Sequence, residues 1–452
     1  MSESRKAAAL KSRFGEIAQS ALPLYLTMIA ASTGSLVDTA LLGHHSTDSL
    51  AALTVTLAVF SPATATVSGA LRGLIPFVSG KAAGGPEGIL PAVRNGMWLA
   101  VVVGGLGGAA VASVPLVAAL GGVPESTRSQ LGALPILLAL AVVASAWSSA
   151  AGAVLIGLGR GRLVMRAGLS GTAVAVGLSP VLVAGLGPAP RLGLTGAGVA
   201  MLASCLVSAV LAQSALRRRT VLAGHSLRLG RPNLPEALRL ARVGIPLAGT
   251  VLVKFAVLGV LAFAAARIGT AEAAVQSICV SLSNLIFTAA VAVGQATVPP
   301  VAAAAEEGDV VAVRRSVLAG AAVALSAVAV LGTTAVLLRS EVFTVFTSDS
   351  EVRGRAVALL PLVLTVVVAD ALQAVSGFGL IGIKRTLPSL LSFTCCYGAL
   401  ALVAVPAGSA GGLPGLWTAL ACANLLLVAG QSIAFHVNSG RLGSAAPAAS
   451  PA

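Results

Sequence analysis

Twelve long apolar segments, separated by short polar breaks, run along the chain, at about residues 17–42, 49–80, 90–120, 130–158, 163–186, 194–216, 240–266, 273–304, 313–338, 352–383, 387–406 and 413–437. Each reaches the ~20 residues that a helix needs to cross a bilayer. The runs are continuous, whereas the strands of a membrane β-barrel alternate apolar and polar positions. The pattern predicts an all-α polytopic membrane protein of twelve transmembrane helices. Of 452 residues, 57% are hydrophobic and only 10% charged, with a mean hydropathy of +0.96. Soluble domains carry about 25% charged residues, so this balance excludes a water-soluble enzyme and a disordered chain.

The charges then fix the expected topology. With the N-terminus inside, 21 of the 29 Lys and Arg residues fall in inner loops and tails, and six fall in outer loops. That split follows the positive-inside rule and predicts both termini in the cytoplasm, as in a multi-pass protein of the plasma (inner) membrane. The net charge of +14 is thereby explained by topology, so no nucleic-acid partner is required. The N-terminus lacks the small-residue cleavage site of a signal peptide. The five cysteines lie in apolar runs without paired spacing, which predicts neither disulfides nor a metal site.

A basic segment at 217–239 divides the chain into an N-lobe at 17–216 and a C-lobe at 240–437, with tails at 1–16 and 438–452. The lobes resemble each other. "ALPL" at 21–24 aligns with "GIPL" at 244–247, which places Pro76 on Pro299 without a gap, and "GAVLIGLGR" at 152–160 aligns with "GFGLIGIKR" at 377–385. Internal repeats of this kind mark secondary transporters. Six spans per repeat keep the two lobes parallel, with a pseudo-two-fold axis along the membrane normal and the transport site between two six-helix bundles. Pro23, Pro76, Pro246 and Pro299 recur in both lobes, where they can break or bend spans.

Ionisable side chains within spans cost about 2.5–3.5 kcal/mol each to insert. Four stand out: Asp38, Arg72, Lys254 and Asp370. Lys254 lies midway between Arg242 and Arg267, about 18 Å from the inner boundary, and Asp370 lies midway between Arg355 and Lys384. An ammonium and a carboxylate at one depth offset each other's insertion cost. The pair reads either as a structural ion pair or as a site that exchanges a proton or a cationic substrate. Asp38 sits about 9 Å from the outer end of the first span, at His44 and His45, where an isolated carboxylate can bind and release protons as access alternates. Arg72 is its potential partner or snorkels to the inner side. Gln276, Asn284 and Gln295 give the eighth span a polar face, expected to line the second-lobe cavity. Gln373 is placed in the same lining, and Tyr25, Phe60, Phe255, Phe287 and Tyr397 are aromatic candidates for stacking on a cation.

Several motifs resemble the multidrug and toxic compound extrusion (MATE) family. "SLVDTALLGHHSTDSLAAL" at 35–53 is similar to its first-span signature, "DALQAVSGFGLIGIKRT" at 370–386 to its tenth-span motif, and "RVGIPL" at 242–247 to the start of its seventh span. "ALRG" at 70–73 resembles the DinF-like branch, and the whole is similar to DinF-like and NorM-like members. The resemblance implies a V of two six-helix bundles and export of organic cations, drugs or natural products against inward H+ or Na+. It assigns Asp38 as the N-lobe acid, Asp370 as the acid of the C-lobe cation site and Gln276 as a polar position of the eighth span. Three departures follow. No Asp or Asn occurs between 161 and 219, so the fifth and sixth spans lack the polar partners that some members pair with the N-lobe acid. Na+-type members carry Glu eight residues after the seventh-span proline, where this chain has Lys254, and Met201 stands where Thr is expected.

The reading is therefore a MATE-like exporter coupled to H+ rather than Na+, without cofactor or metal. It is expected to act as a monomer on a small organic cation or amphipathic molecule in contact with membrane lipid. The rivals are a flippase of a lipid-linked or anionic precursor, kept open by Arg72 and Lys254, and a Na+-coupled drug antiporter. No Walker A motif is present, which argues against ATP hydrolysis by that route, and the two buried acids are too few and too far apart in sequence for an intramembrane Mg²⁺ enzyme.

Overall fold

The computed structural model describes the backbone of residues 3–45, 47–122, 124–185, 191–225, 230–347 and 349–442. Side chains are described within these segments except at 3–11, 33, 35–40, 42–45, 47–51, 83, 126 and 184. The described chain is helical. Its elements are α1 (Glu3–His45), α2 (Thr47–Arg72), α3 (Ile75–Ser79), α4 (Gly85–Ala112), α5 (Val114–Leu120), α6 (Glu125–Gln130), α7 (Leu134–Gly157) and α8 (Gly161–Ala184). They continue with α9 (Gly193–Arg218), α10 (Leu234–Ile268), α11 (Thr270–Glu306), α12 (Val310–Leu337), α13 (Arg339–Phe346), α14 (Ser350–Gly382) and α15 (Leu387–Gly440).

Ten of the helical stretches in the described residues are long and apolar enough to cross a membrane. The last of them, α15, is broken at Gly412, where φ is 60° and ψ is −152°. That break separates two span-length halves, at the predicted boundary between the eleventh and twelfth spans. Counting the 43-residue α1 and both halves of α15, twelve helical stretches among the described residues have the length of a span. Helix α1 begins at Glu3 and α10 at Leu234, so both extend into segments that composition alone reads as tail and linker.

The prolines behave differently in the two repeats. Pro23, Pro246 and Pro299 remain inside α1, α10 and α11. Pro76 instead opens α3, after tight turns in which Gly73 N donates to Ala70 O and Leu74 N to Leu71 O. A proline at the start of a helix loses no hydrogen bond, because its N–H would be an orphan there.

Two compact units result. One comprises Leu26–Val251, the other Met1–Tyr25 with Leu252–Ala452, so α1 and α10 each contribute to both. In the first unit α7 packs on α2, α4 and α9; in the second, α14 packs on α11, α12 and α15. This is the same arrangement twice. It extends to single atoms. A Cβ on Gly157 would lie 3.0 Å from Val78 Cβ and 3.1 Å from the Ile75 carbonyl. The aligned Gly382 meets Val301 Cβ at 2.8 Å and the Val298 carbonyl at 3.5 Å. In each unit a glycine lets two spans approach more closely than any side chain would permit, as is usual where lipid gives helices no hydrophobic reason to associate.

Candidate functional site

The second unit contains a charged cluster in an apolar surround. Lys254 on α10 places its Nζ 3.3 Å from Asp370 Oδ2 on α14. The side chains are 17% and 8% exposed, respectively. The other carboxylate oxygen, Oδ1, accepts from Gln373 Nε2 at 3.4 Å, one turn along α14. The Lys254 ammonium also lies 3.8 Å from the ring centroid of Phe287 on α11. A carboxylate and an aromatic face thus enclose one ammonium, and both attractions strengthen away from water. Lone buried charges cost several kcal/mol each, so each member of the pair depends on the other.

The same unit holds two buried polar contacts that the sequence did not reveal. Trp417 Nε1 donates to Gln276 Oε1 at 2.7 Å, and Tyr397 OH donates to Asn424 Oδ1 at 2.9 Å. Gln276 is therefore engaged as the acceptor for an indole N–H, which anchors α15 to α11. Asn284 is exposed and Gln295 buried on the same helix. Phe255 is exposed beside Lys254 in sequence. Tyr25, in the part of α1 that belongs to this unit, lines an apolar cavity of about 390 Å³ with residues of α11 and α12.

The first unit encloses a cavity of about 570 Å³ whose wall is rich in hydroxyls, including Thr27, Ser61, Thr64, Ser145, Ser149 and Ser208, beside Phe60 and Met201. Several of these are bonded within the wall. Thr64 donates to the Phe60 carbonyl at 2.9 Å, Ser145 to the Val142 carbonyl at 2.8 Å, and Ser149 pairs with Ser68 at 3.1 Å. No charged side chain is among the cavity's described lining residues. Gly34 of α1 forms part of the wall. Asp38, His44 and His45 follow on the same helix, and their side chains lie outside the described residues. Arg72 ends α2, half-buried, with no ion pair among the described residues. The structure brings Lys254, Asp370 and Gln373 together within one unit; Arg72 belongs to the other. Among the described residues no three His, Cys, Asp or Glu side chains cluster as metal ligands, and all five cysteines are free.

Comparison with known proteins adds findings of three kinds. The MatE family profile matches residues 23–181 and 246–406, one match in each repeat. A probable multidrug resistance protein NorM of Xanthomonas campestris is 29% identical over 390 residues, 84% of this chain and 83% of that protein. One of the same description from Chromobacterium violaceum is 26% identical over 446 residues, 93% of each. Among solved structures, a crystal structure of MATE in the straight conformation superposes with a TM-score of 0.86 at 18% identity, covering 96% of this chain and 97% of the other. A Pyrococcus furiosus transporter of the MOP superfamily, described as having a binding pocket of reverse polarity that suggests a different function, superposes at 0.84 with 19% identity over 95% and 96%. At these identities the superpositions establish the fold.

Proposed function

The chain belongs to the MatE family of secondary transporters, and from that membership we propose that it exports organic cations, drugs or amphipathic natural products by alternating access, coupled to inward H+ flux. The multidrug resistance descriptions of the NorM relatives support the substrate class. The orientation proposed has both termini in the cytoplasm, on the strength of the basic-residue asymmetry. Asp38 is the proposed proton carrier, since it is the acid of the first-span motif.

The observation that carries the choice of H+ over Na+ is the Lys254 ammonium held between Asp370 and Phe287. A Na+ site needs several oxygen ligands and a net negative cage. Here the carboxylate already has a cation, tethered to the chain. Arg72 favours a second reading, a flippase of an anionic lipid-linked precursor, because no acid among the described residues pairs with it.

The test is reconstitution into proteoliposomes under an imposed pH gradient without Na+, with a fluorescent organic cation as substrate. Transport is expected for the parent protein, and Asp38→Asn is expected to abolish it while leaving expression intact. Full transport by Asp38→Asn removes the proton-carrier role. Failure of the cation to move, with translocation of an anionic lipid instead, favours the flippase.

A further inference from the structure

Residues 126–235 contain ten arginines and not one Asp, Glu or Lys. Some basic residues of the chain do meet an acid. Arg128 pairs with Glu125 just upstream, Arg239 with Glu236 just downstream, and Arg355 with Glu272 and Glu351. Arg217 and Arg218 end α9 in the middle of the acid-free stretch. Both are exposed, and neither has an ion pair or hydrogen bond among the described residues. The C-terminal end of a helix carries partial negative charge that favours such cations but does not neutralise them.

These two guanidiniums stand at one end of a groove of about 630 Å³ between α7 and α9. Its walls are apolar, with Leu140 and Trp147 from α7 and Leu206 and Val210 from α9. Leu140, Leu206 and Val210 are each about half exposed or more, so the groove opens outward from the unit. Gln213 ties its floor together, donating to the Trp147 carbonyl at 3.3 Å. Along α9 the lining runs from Leu202 to Arg218. At 1.5 Å per residue the apolar part rises about 15–20 Å from the arginines, which is the depth of one leaflet of a ~30 Å hydrocarbon core.

We propose that this groove binds an anionic phospholipid, with an acyl chain laid along α9 and the phosphate between Arg217 and Arg218. The lipid comes from the leaflet that meets the C-terminal end of α9. It supplies the negative charge that this stretch of sequence lacks, and a free phosphate would leave the apolar groove unfilled.

The full-length protein in a neutral detergent would be titrated with phosphatidylglycerol, phosphatidylcholine and inorganic phosphate, with binding read by native mass spectrometry and by thermal unfolding. Phosphatidylglycerol is expected to bind and to raise the unfolding temperature. The double variant Arg217→Gln/Arg218→Gln should weaken that binding about 25-fold, at roughly fivefold per basic residue. Val210→Trp, which fills the groove and keeps both arginines, should weaken it as well. Arg160→Gln/Arg162→Gln, outside the groove, should leave it unchanged. Equal binding of phosphatidylcholine, unaltered phosphatidylglycerol binding by the Arg217/Arg218 variant, or the same loss in the Arg160/Arg162 control would each overturn the proposal.

Discussion

Gly159 and Lys384 hold the same left-handed turn at aligned positions of the two repeats, with φ of 69° and 59°. Arg160 N donates to the Leu155 carbonyl at 2.7 Å, and Arg385 N to the Leu380 carbonyl at 2.9 Å. One repeat uses glycine, which adopts this conformation without strain. The other uses lysine, the single non-glycine residue with positive φ among those described, and its ammonium pairs with Glu306 on α11.

A left-handed non-glycine residue costs about 1–2 kcal/mol, and a partly exposed ion pair contributes about 0–1 kcal/mol. Lys384→Gly is therefore expected to leave the unfolding temperature unchanged or raise it. Gly159→Ala, with no compensating contact, should lower it. Thermal unfolding of the purified variants checks both, and a Gly159→Ala protein as stable as the parent would contradict the assignment of strain to this turn.

Gln276 is expected to matter for stability through Trp417. Gln276→Leu leaves a buried indole N–H without its acceptor, at about 1–3 kcal/mol. Trp417→Phe combined with Gln276→Leu removes both polar groups and should recover part of that loss. Additive losses in thermal unfolding would mean that the 2.7 Å contact is not formed in the membrane protein.

For the charged pair, Lys254→Met and Asp370→Asn should each destabilise, by about 3–5 kcal/mol where the remaining charge stays buried. The double variant should regain much of the stability. A purely structural pair would regain transport too; the proposed exchange with substrate or proton predicts that transport stays lost.

Lys254→Glu reverses the charge of the cage. Two carboxylates and the face of Phe287 would then surround the position of the ammonium, and repulsion between the acids would be relieved by a bound cation. Na+ is expected to raise the unfolding temperature of Lys254→Glu in a saturable manner and to leave the parent unchanged. A Na+-dependent shift of equal size in both proteins would show that Lys254 does not fill the cation's position.

The Lys254–Asp370 contact was legible because insertion costs confine most charges to span ends, so flanking basic residues mark depth along α10 and α14. The repeat was legible because glycine and proline constrain the backbone, and Gly157 and Gly382 meet the same carbonyl positions. Uncharged polar residues carry no such signal. Nothing in the spacing around Trp417 or Asn424 distinguishes a buried hydrogen bond from a lipid-facing side chain, so the indole partner of Gln276 was not visible. Phe287 was visible only as an aromatic near the right depth; its position over the ammonium depends on how α10 and α11 pack. The break after Arg72 was hidden as well, because of two aligned prolines Pro76 opens a new short helix while Pro299 lies inside a long one.

A tethered ammonium in the place of a Na+ ion leaves H+ alone to drive the proposed export. The most direct test is the rate of organic-cation export from proteoliposomes at a fixed pH gradient, with Na+ replaced stepwise by K+ or choline. The same rate is expected throughout; a steep, saturable dependence on Na+ would show that the Lys254 ammonium does not stand in for the ion.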